Sequence, residues 1–456
     1  MPFATIDPAT GKTLRTFQAI PDTAVEQKIT RSADAFRTYK RASFAERSHW
    51  SITLAESLER DKQELGRLMT LEMGKTLVSA VQEVEKCAWL CRYFAANAER
   101  FLADENIQTY AGISLVRYEP LGVILAIMPW NFPFWQALRF GVPAILAGNV
   151  VLLKHAPGVP QCALKIEALF AESGFPSGVF QNLFVEVNQV PAIVGNPLVR
   201  AVSLTGSPEA GKHVAALAGG FTKKCVLELG GSDPFIVMPS ADVSEAVSVG
   251  VTARTINNGQ SCIAAKRFII HASVYEEFLE SFVDRMKLLR VGNPMDASTD
   301  IGPLARADLR EKLHTQVQKS VQLGARLLLG GEMPEGPGFF YGPTVLADVP
   351  KNAPAYSEEL FGPVASMFRV GNIDEAIRIA NDNPLGLGSS VWTGDRNERT
   401  RFISELEAGA VFINSMVASD PRLPFGGTKN SGYGRELGPH GIREFTNVKT
   451  VSAKDR

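Results

Sequence analysis

The sequence predicts an α/β protein: a parallel sheet with helices on its faces, joined to a second α/β unit. Three observations carry this. A long helical stretch runs from Pro21 to about Phe101, short β-rich runs alternate with helical segments beyond Gly148, and a second alternation begins at Phe235.

Taken in order, the first stretch returns apolar residues such as Leu54, Leu58, Leu65 and Leu68 every three or four positions, which places them on one helix face. Ser43 followed by Glu46 reads as a capping box opening one of these helices. Residues 113–118 alternate apolar and polar side chains between Gly112 and Pro120, as a strand does. Strands are then expected at 150–154, 180–185, 201–204 and 225–229, with helices near 161–172, 189–194 and 209–217 between them. Strand, helix, strand repeated in this way gives a parallel sheet, whose ligands sit at the carboxyl ends of the strands. The second alternation places strands at 235–238, 266–271, 325–329 and 411–414, so a domain boundary is expected near Gly230-Gly231.

A chain of 456 residues exceeds the size at which one core stops growing, so two or three compact units are expected. The net charge of −1 gives no electrostatic footprint for nucleic acid or an anionic membrane, which points to a small-molecule partner. The first residues lack the basic and apolar segments of a secretory signal, and the apolar stretch 121–135 is broken by Pro129, Asn131 and Pro133. A cytoplasmic protein is expected. Five cysteines, an odd number, do not make a disulfide framework, and six scattered histidines contain no HExxH, so no metal site is expected.

Gly206-Ser207-Pro208-Glu209-Ala210-Gly211-Lys212-His213 resembles a phosphate loop, but His213 stands where Ser or Thr would hold magnesium. What survives is a strand turning through Gly206 into a helix, whose first N–H groups can face a pyrophosphate. Gly74-Lys75-Thr76 lacks the leading glycine altogether, and neither a GxGxxG fingerprint nor a GxSxG elbow is present. The remaining chemistry is a thiol and a carboxylate. Cys262, in Asn257-Asn258-Gly259-Gln260-Ser261-Cys262, is flanked by small and polar residues, and Glu228 lies 34 residues upstream in Leu227-Glu228-Leu229-Gly230-Gly231. A thiol that attacks a carbonyl creates an oxyanion and then an acyl adduct, which a carboxylate can help water to hydrolyse. Asn131 reads either as a turn former before a helix or as a buried amide donor for that oxyanion.

Five segments together resemble the motif set of the aldehyde dehydrogenase superfamily, in its order and spacing. They are Pro129-Trp130-Asn131-Phe132-Pro133, Leu227 to Pro234, Gly259-Gln260-Ser261-Cys262, Glu358-Glu359-Leu360-Phe361-Gly362-Pro363-Val364 and Pro424 to Gly432. The resemblance covers essentially the whole chain. It implies a Rossmann-variant dinucleotide domain formed by residues 1–100 and 119–230, a catalytic domain at 231–428, and a β oligomerisation arm from 101–118 and 440–456. It implies Cys262 as nucleophile, Glu228 as deacylation base, and Asn131 with the Cys262 N–H as oxyanion hole. Trp130, Lys154, Gly206, Ser207, Glu359 and Phe361 would form the NAD or NADP site, with Lys154 and Glu359 on the ribose hydroxyls. The presence of Glu228 favours water over coenzyme A as acyl acceptor, and the arms favour a homodimer or homotetramer.

Arg139 follows Asn131 by eight residues, so on a helix the two share nearly one face; it is either an exposed helix arginine or part of a substrate tunnel. A guanidinium in a tunnel would select a distal carboxylate. The resemblance favours the tunnel, because the corresponding position is arginine in succinate semialdehyde dehydrogenases. Residues 415–422 resemble the substrate loop of that subgroup, with Ser419 as a second carboxylate contact and Trp135 and Ser261 as further substrate-binding positions. The implied reaction is oxidation of succinate semialdehyde to succinate, with glutarate or malonate semialdehyde or an aliphatic aldehyde as alternatives. A relative without turnover, serving as a binding or structural protein, is the cross-class alternative. Two departures stand out: Ile256 replaces an additional arginine of some relatives, and Pro157 replaces a glutamate that repels a 2′-phosphate in NAD-strict ones.

Overall fold

The structure, a computed structural model, describes residues 3–454. Two large sheets carry the residues that line one cleft. The first has six strands in the order Gly432–Tyr433, Lys224–Glu228, Val199–Thr205, Val123–Met128, Val150–His155 and Phe180–Asn182. Five are parallel and Gly432–Tyr433 is antiparallel. Because the five run together, Met128, His155, Thr205 and Glu228 end on one edge, and the loops beyond them carry the polar residues singled out above.

The second sheet has seven strands in the order Arg326–Leu329, Thr344–Ala347, Val364–Val370, Arg267–His271, Pro234–Val237, Gly388–Trp392 and Ala410–Ile413. It is parallel except at the Arg326–Leu329 edge. The strands expected at 235–238, 266–271, 325–329 and 411–414 therefore all belong to it, each within a residue or two of its observed bounds. Among the strands inside the two large sheets, Val123–Met128, Thr344–Ala347, Val364–Val370 and Gly388–Trp392 escaped sequence reasoning. Each lies inside its sheet and is buried almost throughout, so no polar face alternates with an apolar one: Val123–Met128 is a continuous apolar run, and the serines of Gly388–Trp392 are buried with their neighbours.

The helical first stretch resolves into Asp22–Tyr39, Phe44–Met73 and Leu77–Phe101. Ser43 and Glu46 form the reciprocal capping box expected of them. Gly74-Lys75-Thr76 is the joint between the two long helices: Gly74 ends the first with φ 82°, and the Thr76 hydroxyl caps the second. Lys75 is buried in an ion pair with Glu83. Glu83 does a second job. Its other oxygen accepts from Phe134 N and Trp135 N, both at 2.9 Å, and so caps the helix Pro133–Leu146, of which every residue is buried. That helix has no polar face of its own, and the capping carboxylate from a neighbouring helix fixes where its first turn begins.

Thr446–Ala453 pairs antiparallel with Ile113–Pro120 along its whole length, and Glu105–Asn106 adds a third, short strand. No helix among the described residues is long and apolar enough to cross a membrane.

Candidate active site

Cys262 is delivered by an unusual turn. After the helix Val243–Thr255 the chain enters a 3₁₀ segment in which Asn257, Asn258 and Gly259 take φ of 57°, 58° and 75° in succession. Asparagine and glycine are the residue types that tolerate this left-handed conformation. Gly259 is further constrained, because a Cβ there would overlap the Gly362 backbone. The asparagine amides hold the turn: Asn258 Nδ2 donates to the Gly74 and Pro303 carbonyls at 2.8 and 3.0 Å, and its Oδ1 accepts from Gly302 N.

The same turn is tied to the loop carrying Asn131. Asn257 Nδ2 donates to the Asn131 carbonyl at 2.8 Å, and Asn131 Nδ2 donates to the Gln260 carbonyl at 3.1 Å. Beyond the cysteine, Lys266 Nζ donates to the carbonyls of Ser261, Cys262 and Ala264 at 2.8 to 3.1 Å, and lies 3.4 Å from Glu359 Oε1. One buried ammonium thus gathers three carbonyls that would otherwise point at each other. With the Cys262 carbonyl turned to Lys266, its neighbourhood is fixed from both sides. The half-buried thiol itself is pushed up to about 12, because burial outweighs the nearby positive charges of Arg139 and Lys266.

Glu228 ends its strand and the chain then passes beside the cysteine loop. A Cβ on Gly231 would stand 2.5 Å from the Cys262 carbonyl, and one on Gly426 would stand 2.8 Å from Glu228 Oε1, so two glycines make the close approach possible. Glu228 is buried and neither carboxyl oxygen has a hydrogen-bond partner. Burial and the neighbouring Glu436 carboxylate raise its pKa well above the ordinary range, against the pull of Arg139 and Arg435. A carboxyl group raised in this way is suited to take a proton from water near neutral pH.

Between the sheets lies a cleft of about 480 Å³, lined by Trp130, Asn131, Thr205, Gly206, Ser207, Cys262, Glu359 and Phe361 among others. Trp130 and Phe361 meet edge to face across it, with centroids 5.8 Å apart. Ser207 caps the helix Pro208–Gly220, so the helix start opens on the cleft. Glu359 accepts from Gly231 N at 3.1 Å in addition to facing Lys266. Thr205 Oγ1 is buried without a partner, and Lys154, at the end of its strand, has its pKa lowered by burial with no charged neighbour contributing. An unpaired buried ammonium and an unpaired hydroxyl at the carboxyl edge of a parallel sheet fit the polar half of a dinucleotide.

The residues expected at the aldehyde side do not line this cleft. Arg139 is buried and its Nε donates to Glu436, while Nη2 has no partner. Trp135, one turn earlier, lies beneath the ammonium of Lys86 at 4.3 Å, and the same ammonium donates to Ser419 Oγ at 2.9 Å. Ser261 is fully buried with its hydroxyl unpartnered. Sequence reasoning missed Lys266, Glu436, Asn257 and Lys86. The asparagine turn was legible as Asn-Asn-Gly, but nothing local marks a glutamate 174 positions after Cys262, or a lysine in a long helix, as neighbours of this site.

A parallel sheet whose carboxyl edge shares a cleft with a second α/β unit is the plan of enzymes that present a dinucleotide to a bound substrate. The chain belongs to the aldehyde dehydrogenase family, whose model matches residues 1–451. It is accordingly an NAD(P)-linked oxidoreductase acting on an aldehyde. It is 55% identical over 454 residues, 99% of each chain, to succinate-semialdehyde dehydrogenase [NADP(+)] 1 of Mycobacterium tuberculosis. It is 54% identical over 454 residues to succinate-semialdehyde dehydrogenase [NADP(+)] of Mycobacterium leprae, again covering 99% of each chain. Among solved structures it resembles succinic semialdehyde dehydrogenase from Streptococcus pyogenes in complex with NADP+, with TM-score 0.97 and 36% identity over 99% of this chain and 100% of that one. The α/β architecture expected from the sequence is the one these relatives share.

Proposed function

We propose that this enzyme oxidises succinate semialdehyde to succinate with NADP+, through an acyl group carried on Cys262. The observation that carries the substrate reading is Arg139 Nη2, a buried guanidinium nitrogen on the helix that follows Asn131, which has no hydrogen-bond partner. A donor in that state lacks an oxygen, and a carboxylate at the far end of a short aldehyde supplies one. The mycobacterial relatives, named for this substrate and for NADP+, support it.

Cys262 reacts as its thiolate, its proton having passed to solvent: Sγ bonds to the carbonyl carbon as the C=O π bond breaks, and the oxygen gains the charge. Asn131 Nδ2 keeps one hydrogen beyond the bond it makes to Gln260, and that hydrogen with the Cys262 N–H stabilises the oxyanion. Collapse of the oxyanion expels hydride and leaves a thioester on the sulphur. Bound NADP+ supplies the hydride acceptor. Glu228 then takes a proton from water as the water attacks the thioester, releasing the carboxylic acid and the thiol. Trp130, Lys154, Gly206, Ser207, Glu359 and Phe361 are our choice for the residues that hold the dinucleotide, and Arg139, Trp135, Ser261 and Ser419 for those around the aldehyde. NADP+ over NAD+ is favoured by Pro157, which puts no negative charge three residues beyond Lys154.

Residues 3–100 with 119–230 then form the dinucleotide domain, 231–428 the catalytic domain, and 101–118 with 440–454 an arm; residues 1–2 and 455–456 of the expected bounds lie outside the described residues. The exposed apolar side chains of that arm, Ile107, Ile113 and Val448, support a homodimer or homotetramer. Cytoplasmic residence is the setting we assign, since a reactive free thiol needs a reducing compartment. The test is to mix purified enzyme with succinate semialdehyde and either dinucleotide, and to follow reduced-nicotinamide absorbance. Turnover with NADP+ that exceeds turnover of butanal at least tenfold in kcat/KM is expected; no absorbance change with any aldehyde would instead support a binding protein.

A further inference from the structure

Lys86 occupies the helix Leu77–Phe101, packed against the fully buried helix Pro133–Leu146. Its side chain is largely withdrawn from water. Its ammonium rests 4.3 Å from the centre of the Trp135 ring and donates to Ser419 Oγ at 2.9 Å, yet it forms no ion pair with any carboxylate among the described residues. A withdrawn ammonium held by one hydroxyl and a ring face has two donors left to place. Arg139 is close by: its charge bears on both Lys86 and Cys262. Along one face stand Trp135 and Arg139, four residues apart, and opposite them Lys86 and Ser419.

We infer that Lys86 is a specificity-determining residue, binding the distal carboxylate of the substrate together with Arg139 Nη2 and Ser419. This rests on the carboxylate-substrate reading given above and adds to it a residue from a different helix. Two arguments favour it over a structural role. A lysine whose only task were packing on Trp135 would gain from full hydration of its charged end, whereas this one is turned inward to a serine on the substrate loop. And the charges of Lys86 and Arg139 repel each other; Glu436 engages one side of Arg139, whereas no carboxylate among the described residues pairs with Lys86, so an anion placed between the two cations would answer both.

The charge of Lys86 is itself titratable near working pH. Burial and Arg139 bring it down to about 8, against the opposing influence of Cys87 and Glu83 on its own helix and of Asp420 on the substrate loop. Free enzyme therefore loses this cation as the pH rises through that value, and the KM for a carboxylate aldehyde, relative to that for an uncharged one, rises with it.

The experiment measures kcat/KM for succinate semialdehyde and butanal, from pH 6.5 to 9.5 in steps of about half a unit, with wild type, Lys86→Met and Lys86→Arg. Expected is a fall of about tenfold or more in the preference for succinate semialdehyde in Lys86→Met, carried by KM rather than kcat. Lys86→Arg, which stays charged at every pH used, is expected to retain most of the preference and to flatten its alkaline decline. Should Lys86→Met fail to fold, the wild-type and Lys86→Arg profiles decide alone: identical alkaline declines would overturn the inference. A preference unchanged in Lys86→Met would do so too. Wild-type enzyme with no preference for succinate semialdehyde would overturn the reading beneath it.

Discussion

Arg139 and Glu436 form a buried ion pair in which Nε of the arginine donates to the carboxylate, and the ring of Phe425 lies 4.5 Å from the guanidinium carbon. The pair fixes the guanidinium plane. It also leaves Nη2 without a partner, the nitrogen to which the proposed reading gives the substrate carboxylate. Replacing Arg139 by lysine keeps a charge but loses the fork, so one of the two tasks must fail. We expect Arg139→Lys to raise KM for succinate semialdehyde by roughly 10- to 100-fold, the worth of one charged hydrogen bond, with a much smaller effect on butanal. Equal losses on both aldehydes in steady-state kinetics would contradict the anchoring role.

Glu228 is expected to act after the acyl group has formed, not before. Glu228→Gln should therefore release a burst of reduced nicotinamide close to one equivalent per subunit and then nearly stop, with the steady rate lowered about 100-fold or more. Stopped-flow absorbance distinguishes this from a loss of the burst itself, which would move Glu228 to the earlier step.

The raised pKa of Glu228 has a consequence for stability. A carboxyl group that binds its proton more tightly in the folded state than in the unfolded one favours folding below the unfolded value, near 4.5, and that contribution is lost as the pH rises through the folded value. Glutamine keeps the shape and never ionises. Glu228→Gln is thus expected to gain Tm relative to wild type as pH increases from 5 to about 9. Differential scanning fluorimetry across that range checks it, and a difference that shrinks with pH would show that the carboxylate is stabilised by its cationic neighbours instead.

Gly259 combines a left-handed φ with backbone contact to Gly362. Gly259→Ala should cost about 1 kcal/mol for the conformation and a further 1–3 kcal/mol for the overlap, and should displace the cysteine turn. Lowered Tm together with slower labelling or turnover at Cys262 is the expected result; a variant with wild-type Tm would mean the two loops can separate without loss.

How much of this was legible beforehand follows from what each signal depends on. Strands with one polar face, such as Ile113–Pro120, and helices with a repeating apolar stripe announced themselves, and the Ser43 capping box needs only four residues. Val123–Met128 did not, because a central strand covered on both faces has no period to read. At the site, Cys262 stood out for its small and polar neighbours, whereas Glu228 and Asn131 took their roles from the resemblance of the motifs around them to a known family. Lys266, Glu436 and Lys86 were not, since each acquires its partner only when distant segments meet: Lys86 finds Ser419 across 333 positions and Arg139 finds Glu436 across 297.

The central claim is that the substrate carbon becomes bonded to Cys262 Sγ. Glu228→Gln enzyme incubated with NADP+ and succinate semialdehyde, quenched in acid, digested and mapped by mass spectrometry, tests it most directly. The expected result is one succinyl group on the peptide containing Cys262 and on no other cysteine, absent when the dinucleotide is omitted. Reduced nicotinamide formed with Cys262 unmodified, or equally fast formation in Cys262→Ala, would contradict the account.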